Sequence, residues 1–370
     1  MRAPAASSTA QRVLRRFGRL SGAAGALAGA GTLAVTAVGL AARVVPPSTV
    51  WWPQLAALAL PVAAPLSGAA GVGWAIYAHR SRRPGAWVVA LAHLAAAAAP
   101  LLRASERPVR AGDGPGMRVL TLNAAYSRRG DVDRIADRFA EADPHVVGFQ
   151  EVSVRPGEEP GTWSAQGAPL ALLQSSDYTM TPFTGTPEAD GKTSAAGTAL
   201  FSRLPASPSE VSLLDSTRDA RYGRYTRTEL VWEGRPIAVY NVHFRSFQAP
   251  RPWREESGWW SAARATREDF VGREAEARAL RRALDAEPHP FLVIGDLNAT
   301  PDQWSYSHVA AGLVDALGPG LWRATYPDER PLVRIDAILA SVEWSVRSAD
   351  ILPAGVSDHR AVIAELVLAL

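Results

Sequence analysis

The chain reads as an α/β protein in which two packed β-sheets flanked by helices follow an N-terminal third of membrane-spanning helices. Three observations predict this class. Long uncharged runs are confined to the residues before Leu102; short β-branched or aliphatic runs recur from Arg118 onward; and few amphipathic helical patterns separate those runs. Many strands with few intervening helices fit two packed sheets better than a single doubly wound one.

The first span is expected over Ser21–Ala42, which contains no charged residue. At roughly 1.5 Å of rise per residue it can cross a hydrocarbon core of ~30 Å. A second uncharged stretch, Val44–Tyr77, carries Trp51 and Trp52 where interfacial aromatics sit and Pro61 and Pro65 where a helix kinks, placing a span near Gln54–Tyr77. The third, Gly85–Leu102, is short and built largely of alanine, and its His93 reads as a neutral bundle-facing residue. A cleaved signal peptide would also begin with Arg15, Arg16 and Arg19 before an apolar run, but two further apolar runs follow here.

Arg2, Arg12, Arg15, Arg16 and Arg19 precede the first span, Arg43 alone lies in the first loop, and Arg80, Arg82 and Arg83 fill the second. Positive charge stays in the cytoplasm, so the amino terminus and second loop are expected there, and everything after Leu102 outside. Arg103, Arg107 and Arg110 pull weakly the other way.

Residues 103–116, RASERPVRAGDGPG, read as a linker, leaving residues 1–102 as a membrane domain and 117–370 as a catalytic one. Strands are expected at Arg118–Asn123, His145–Phe149, Thr198–Phe201, Arg227–Trp232, Ile237–His243, Phe291–Gly295, Arg334–Ala340 and Ala361–Leu368. Helices are expected at Asp131–Ala142, where Val132, Ile135, Ala136 and Phe139 share a face, and at Arg273–Leu284, where Ala277, Leu280, Ala283 and Leu284 do.

Charge divides the chain as hydropathy does. Residues 1–116 hold twelve arginines against Glu106 and Asp113, a net +10, which leaves the remainder at −7 within a total of +3. The pI of about 9.4 therefore belongs to the apolar third, and the catalytic part is acidic. The absence of cysteine excludes disulfides, thiolate catalysis and thiolate-bound zinc.

The strand candidates end in polar residues suited to holding a metal and a phosphate. Asn123 closes VLTLNAAY, Glu151 lies in VVGFQEV, and Asn241 and His243 lie in YNVHFRS; Asp296 and Asn298 lie in VIGDLNATPD, Asp336 in RIDAILAS, and Asp358 and His359 in VSDHRAV. Any one such residue is more often a turn former, and Asp302, Asp350 and His289 keep that reading. The ordered set, from about Met117 to Leu370, resembles the endonuclease/exonuclease/phosphatase superfamily, which includes DNase I-like nucleases, inositol phosphatases and sphingomyelinases; GDLNATPD and SDHRAV are its most specific parts.

That resemblance implies a four-layer sandwich, two mixed β-sheets with helices outside, and a hydrolytic site at one end of the sheets. It also implies a Mg²⁺ site, or Mn²⁺ in its place, on Glu151 with Asn123 and Asp358 as direct or water-mediated partners. Asp296 would orient or deprotonate the attacking water, and Asn298 would donate to a phosphoryl oxygen. His359, its imidazole held by Asp336, would contact the phosphoryl group, with His243 at the leaving group or a non-bridging oxygen.

The acidic catalytic part disfavours nucleic acid, whose binding draws on Lys and Arg; Lys192 is the one lysine present. Anchoring favours a lipid-borne phosphate. The insertion Phe247–Phe270, with Trp253, Trp259 and Trp260 among charges, reads either as a lip at the membrane interface or as a surface loop whose tryptophans pack on the domain. Three spans before an outward-facing domain of this superfamily resemble the VanJ-type actinobacterial membrane proteins associated with teicoplanin resistance, which implies a lipid carrier such as undecaprenyl diphosphate as substrate. A DNase I-like nuclease, or a non-catalytic binding module on the same fold, is the alternative.

Overall fold

The computed structural model describes residues 8–104, 113–124, 141–156, 163–166, 178–180, 184–187, 194–207, 210–213, 224–246, 258–318, 323–355 and 357–369. The N-terminal part is helical: α1 (Ser8–Ala41), α2 (Pro53–Leu58), α3 (Leu60–Ser81) and α4 (Pro84–Ala104). Pro61 falls in the first turn of α3, where its missing N–H costs nothing, and the chain turns at Ala59 between α2 and α3. The expected span at 54–77 is therefore divided between two helices.

Among the described residues one helix, Leu60–Ser81, is long and apolar enough to cross a membrane, at a mean hydropathy of 1.2; the apolar stretches Gly25–Ala41 and Pro84–Pro100 are shorter. The expected spans at 21–42, 54–77 and 85–102 thus each meet a helix, and among the described residues one of the three, α3, is a candidate crossing. His93 is buried and shares a hydrogen bond of 2.9 Å with the Ser67 hydroxyl, as a bundle-facing residue does.

The remainder forms two mixed sheets. The first contains β1 (Gly116–Asn123), β2 (Val146–Pro156), β3 (Trp163–Gln166), β4 (Thr179–Met180), β5 (Thr184–Pro187), β6 (Ser194–Ser202), β13 (Trp344–Leu352) and β14 (Ala361–Leu368). Its order is β13-β14-β1-β2-β6-β4, with β3 on β2 and β5 on β6. The second contains β7 (Glu210–Leu213), β8 (Arg224–Trp232), β9 (Arg235–His243), β10 (Phe291–Asp296), β11 (Val314–Asp315) and β12 (Asp336–Ala340), in the order β11-β12-β10-β9-β8-β7. Each sheet has one parallel pair among the strands named in order, β1 with β2 and β9 with β10.

Strand residues alternate between faces, and here both faces are buried, so the central strands are apolar almost throughout. Val119, Leu200 and Leu366 of the first sheet meet Val239, Leu292, Ile294 and Ile338 of the second. Each such side chain contributes about 1.5–3 kcal/mol by leaving water. The outer face of the second sheet, with Tyr240, Val242 and Leu339, packs under Ala277, Leu280 and Leu284 of α5 (Gly258–Asp285) and Trp304 and Val309 of α6 (Trp304–Ala310). Leu120, Leu122, Val147 and Phe149 form a third cluster on the outer face of the first sheet.

Several expectations shift. The helix predicted at Asp131–Ala142 lies outside the described residues except for Glu141 and Ala142, which are helical. The helix predicted at Arg273–Leu284 begins at Gly258, so half of the tryptophan-bearing insertion is helix; its part at 247–257 lies outside the described residues. Trp259 and Trp260 are 74% and 89% exposed, which excludes their packing on the domain. The strand predicted at His145–Phe149 runs on through Glu151 to Pro156, and β13, unrecognised because its polar residues face outward at a sheet edge, pairs with β14.

Candidate active site

Strand register brings the polar residues together at one end of the two sheets. Asn123 pairs with Gln150 across β1 and β2, while Asp296 lies between His243 on β9 and Asp336 on β12. The sheets approach closely beneath them: a Cβ on Gly148 would lie 2.6 Å from Ile294 Cδ1. Gly295 has φ +135° and its Cβ would meet the Val242 carbonyl oxygen at 2.0 Å, so only glycine can precede Asp296.

Gln150, Asn241 and Thr121 form the floor. Gln150 Nε2 donates to Asn241 Oδ1 at 2.6 Å and to Thr121 Oγ1 at 3.0 Å, and Asn241 Nδ2 donates to the carbonyls of Phe149 and Ala199. Asn241, singled out in the sequence with His243, is thus a tie between sheets. Glu151 has φ +51° at an irregularity in the pairing of β2 with β6. That left-handed conformation is costly for a non-glycine residue and marks a backbone held for its side chain.

Above the floor Asn123 Nδ2 donates to Asp296 Oδ2 at 2.9 Å and to Glu151 Oε1 at 3.2 Å. Asn298, at φ +47°, donates its N–H to Asp296 Oδ1 at 2.7 Å and its side-chain amide to the Phe244 carbonyl at 2.9 Å. Arg273 of α5 donates to the Asn298 carbonyl. His359 Nδ1 lies 3.0 Å from Asp336 Oδ2, and its Nε2 lies 3.9 Å from Asp296 Oδ2. His243 Nε2 lies 3.6 Å from Glu151 Oε1 and 3.9 Å from Asp296 Oδ2.

Burial and the neighbouring Asp336 carboxylate raise Asp296 to about 6, against the pull of His359, His243 and Asn123. For His359 burial opposes the charge, yet the carboxylates of Asp336, Asp296 and Asp358 outweigh it and lift the imidazolium to about 10. One carboxylate thus holds a proton more tightly than usual beside an imidazole that keeps its own at neutral pH.

Sequence motifs assigned catalytic or metal-binding roles to eight residues, and the structure brings seven of them, Asn123, Glu151, His243, Asp296, Asn298, Asp336 and His359, into this network. Asp358 is adjacent: its N-terminal neighbour Ser357 donates to the Asn123 carbonyl at 2.6 Å and receives the His359 N–H at 3.0 Å. Ser357 and Tyr326, whose ring lies 4.9 Å from that of His359, were not recognised, since a lone Ser or Tyr has no pattern of its own. Asp350 is in β13 with its carboxylate on its own strand's Ile351 N–H, and His289 lies 3.7 Å from Glu229, both away from the network.

The donor set fits a hard divalent cation. Asp358 Oδ1 and His243 Nε2 are buried without a hydrogen-bond partner, and the Glu151 carboxylate is 25% exposed beside His243. Asp296, Asp336 and His359 also bring ligand atoms within 4.8 Å of one another and could hold a metal. In that trio His359 Nδ1 is bonded to Asp336, so the Glu151 side offers the better oxygen donors.

The sequence profile of the Endonuclease/Exonuclease/phosphatase family matches residues 120–359, more than half of the chain. The protein belongs to this family, whose members are typically hydrolases of phosphoester bonds. A family protein from Leptotrichia buccalis superposes with a TM-score of 0.51 at 17% identity, covering 68% of this chain and 100% of that one. The human Nocturnin catalytic domain with bound sulfate matches at 0.48 and 20%, covering 72% and 99%. The 3′ phosphatase NExo from Neisseria, bound to a product DNA hairpin, matches at 0.47 and 16%, covering 68% and 99%. Likeness at these identities shows the fold alone. No curated protein matches the sequence.

Proposed function

We propose that the protein is a membrane-anchored, Mg²⁺-dependent phosphoesterase that acts outside the cytoplasm on a lipid-linked phosphate or diphosphate, such as undecaprenyl diphosphate, in the manner of VanJ-type proteins. The observation that carries the chemistry is the convergence of Asp296, His359 and His243 around one space beside Glu151. The metal, held by Glu151 and Asp358 with Asn123 orienting the carboxylate, would neutralise charge on the phosphoryl oxygens. Asp296 accepts the proton of the attacking water, for which a carboxylate raised to about 6 is still ionised at neutral pH. His359 donates to a phosphoryl oxygen, Asn298 adds an uncharged donor, and His243 assists the leaving group.

Anchoring is supported by an inside-out helical part. Thr36, Ser67 and His93 are buried, while Val62, Leu66, Val88 and Leu91 face outward, as suits helices among acyl chains. The connection from α1 to α2 and the first turn of α2 dock on the catalytic domain through Ser48 and Gln54, which supports a topology with both on one side of the bilayer. The exposed Trp259 and Trp260 suit a membrane interface.

Purified full-length protein is expected to release phosphate from undecaprenyl diphosphate with Mg²⁺ and to stop on chelation. Glu151→Ala should lower the rate by about two orders of magnitude or more without loss of folding. Degradation of DNA with no release from the lipid would replace this reading with a nuclease, and absence of both activities and of Mg²⁺ binding with a binding module. A reporter fused near Gly116 that works only in the cytoplasm would overturn the topology.

A further inference from the structure

The first turn of α2, with the connection from α1 that precedes it, grips the loop that carries Asn298. Gln54 is buried, and its side chain is fully engaged. Nε2 donates to the Ala42 and Val45 carbonyls, each at 3.1 Å, and Oε1 receives the N–H of Trp304 at 3.0 Å, from 250 positions away in sequence. Its carbonyl receives Gln303 Nε2 at 3.1 Å, and Gln303 Oε1 in turn receives the Thr300 N–H at 2.9 Å. The chain from Asp296 to Trp304 is thus fixed in the active site at one end and on Gln54 at the other.

A second set of contacts reaches the same loop through α5. Ser48 donates its N–H and hydroxyl to the Glu274 carboxylate at 2.7 and 2.9 Å. Glu274 also holds Arg278 at 2.8 Å, whose guanidinium lies 4.6 Å over the Trp304 ring. Arg273, adjacent to Glu274 and fully buried, donates to the Asn298 carbonyl. Asn298 has an unfavourable positive φ, so it keeps its place only while its surroundings over-determine it.

We infer that Gln54 is a positioning residue for Asn298, so that the helical part is a working component of the catalytic site rather than a tether. Its side chain does not touch the reacting atoms. It fixes the far end of the loop whose near end does. The kinetic part of this inference rests on the phosphoesterase reading above.

In the full-length protein, Gln54→Leu should speed amide hydrogen exchange in residues 297–304 while leaving β10 protected. With undecaprenyl diphosphate as substrate, it should lower kcat about tenfold with KM within about twofold, as misplacement of a catalytic group does. The same substitution in an Asn298→Ala background should cost less than about twofold, because residues acting through one another are not additive. Gln303→Ala, which removes the loop's own hydrogen bond to Gln54 and leaves every residue of the N-terminal helices in place, should reproduce both effects if Gln54→Leu folds poorly. Equal losses in both backgrounds, or unchanged exchange in 297–304, would overturn the inference. If the wild type leaves undecaprenyl diphosphate intact, that reading of the substrate falls, and the exchange result alone decides whether Gln54 holds the loop.

Discussion

Replacing Asp336 by Asn tests whether a protonated His359 serves catalysis. The Asp336 carboxylate lies 3.0 Å from His359 Nδ1, both groups are buried, and the imidazolium is raised to about 10. An opposite charge at such range moves a pKa by about 1–3 units, so Asp336→Asn should bring the alkaline limb of kcat/KM from about 10 down to roughly 7–9. At pH 9 the variant, normalised to its own maximum, should be about twofold to hundredfold less active than wild type, according to where in that range its limb falls. The pair also stabilises the fold. Because the folded pKa is raised, that contribution is complete below the ordinary value of 6.5 and is lost as pH rises through about 10. The stability gap between the two proteins should therefore close as the solution is made alkaline. Rate profiles in wide-range buffer and urea melts at several pH values measure both effects. An alkaline limb that stays in place would refute a catalytic role for His359 in its protonated form.

Two further perturbations test the frame around the site. Gly295→Ala places a Cβ 2.0 Å from the Val242 carbonyl oxygen at a φ of +135°, so it should destabilise the domain by about 3 kcal/mol or more, read from denaturant midpoints; a loss below about 1 kcal/mol would mean the strands can separate there at little cost. Glu287 receives Arg227 Nε at 2.7 Å and the Tyr240 hydroxyl at 2.6 Å with its side chain 1% exposed. Burial alone would raise this carboxyl, but those two partners outweigh it and hold it below the usual range. Its contribution is then present above the ordinary carboxylate value and lost as pH falls through the depressed one. Glu287→Gln should cost about 2–4 kcal/mol at neutral pH, and the difference from wild type should shrink in acid; a difference that stays constant with pH would show that shape rather than charge sustains the contact.

Much of the site was legible because strand ends concentrate chemistry. Asp296, Asp336 and His243 terminate or open apolar runs, and parallel or antiparallel register then carries them to one edge, so their order along the chain was informative. Glu151 was recognised by its motif, yet its setting was not. It lies within a longer strand at a left-handed residue, a conformation dictated by neighbours on β6 that no local pattern records. The N-terminal helices were located by missing charge, while the break between α2 and α3 at Ala59 was not.

The amino-acid sequence by itself determined which segments could be strands, which stretches must avoid water, and which side chains could bind a phosphate and a metal, because periodicity and charge are properties of neighbours along the chain. The pairing of Asp336 with His359 was expected from the motifs, whereas tertiary structure alone decided other partners: Arg273 for Asn298 and Gln54 for Trp304. Those contacts join residues far apart in sequence, and their strength comes from burial and direction, which exist only once the sheets and helices have packed.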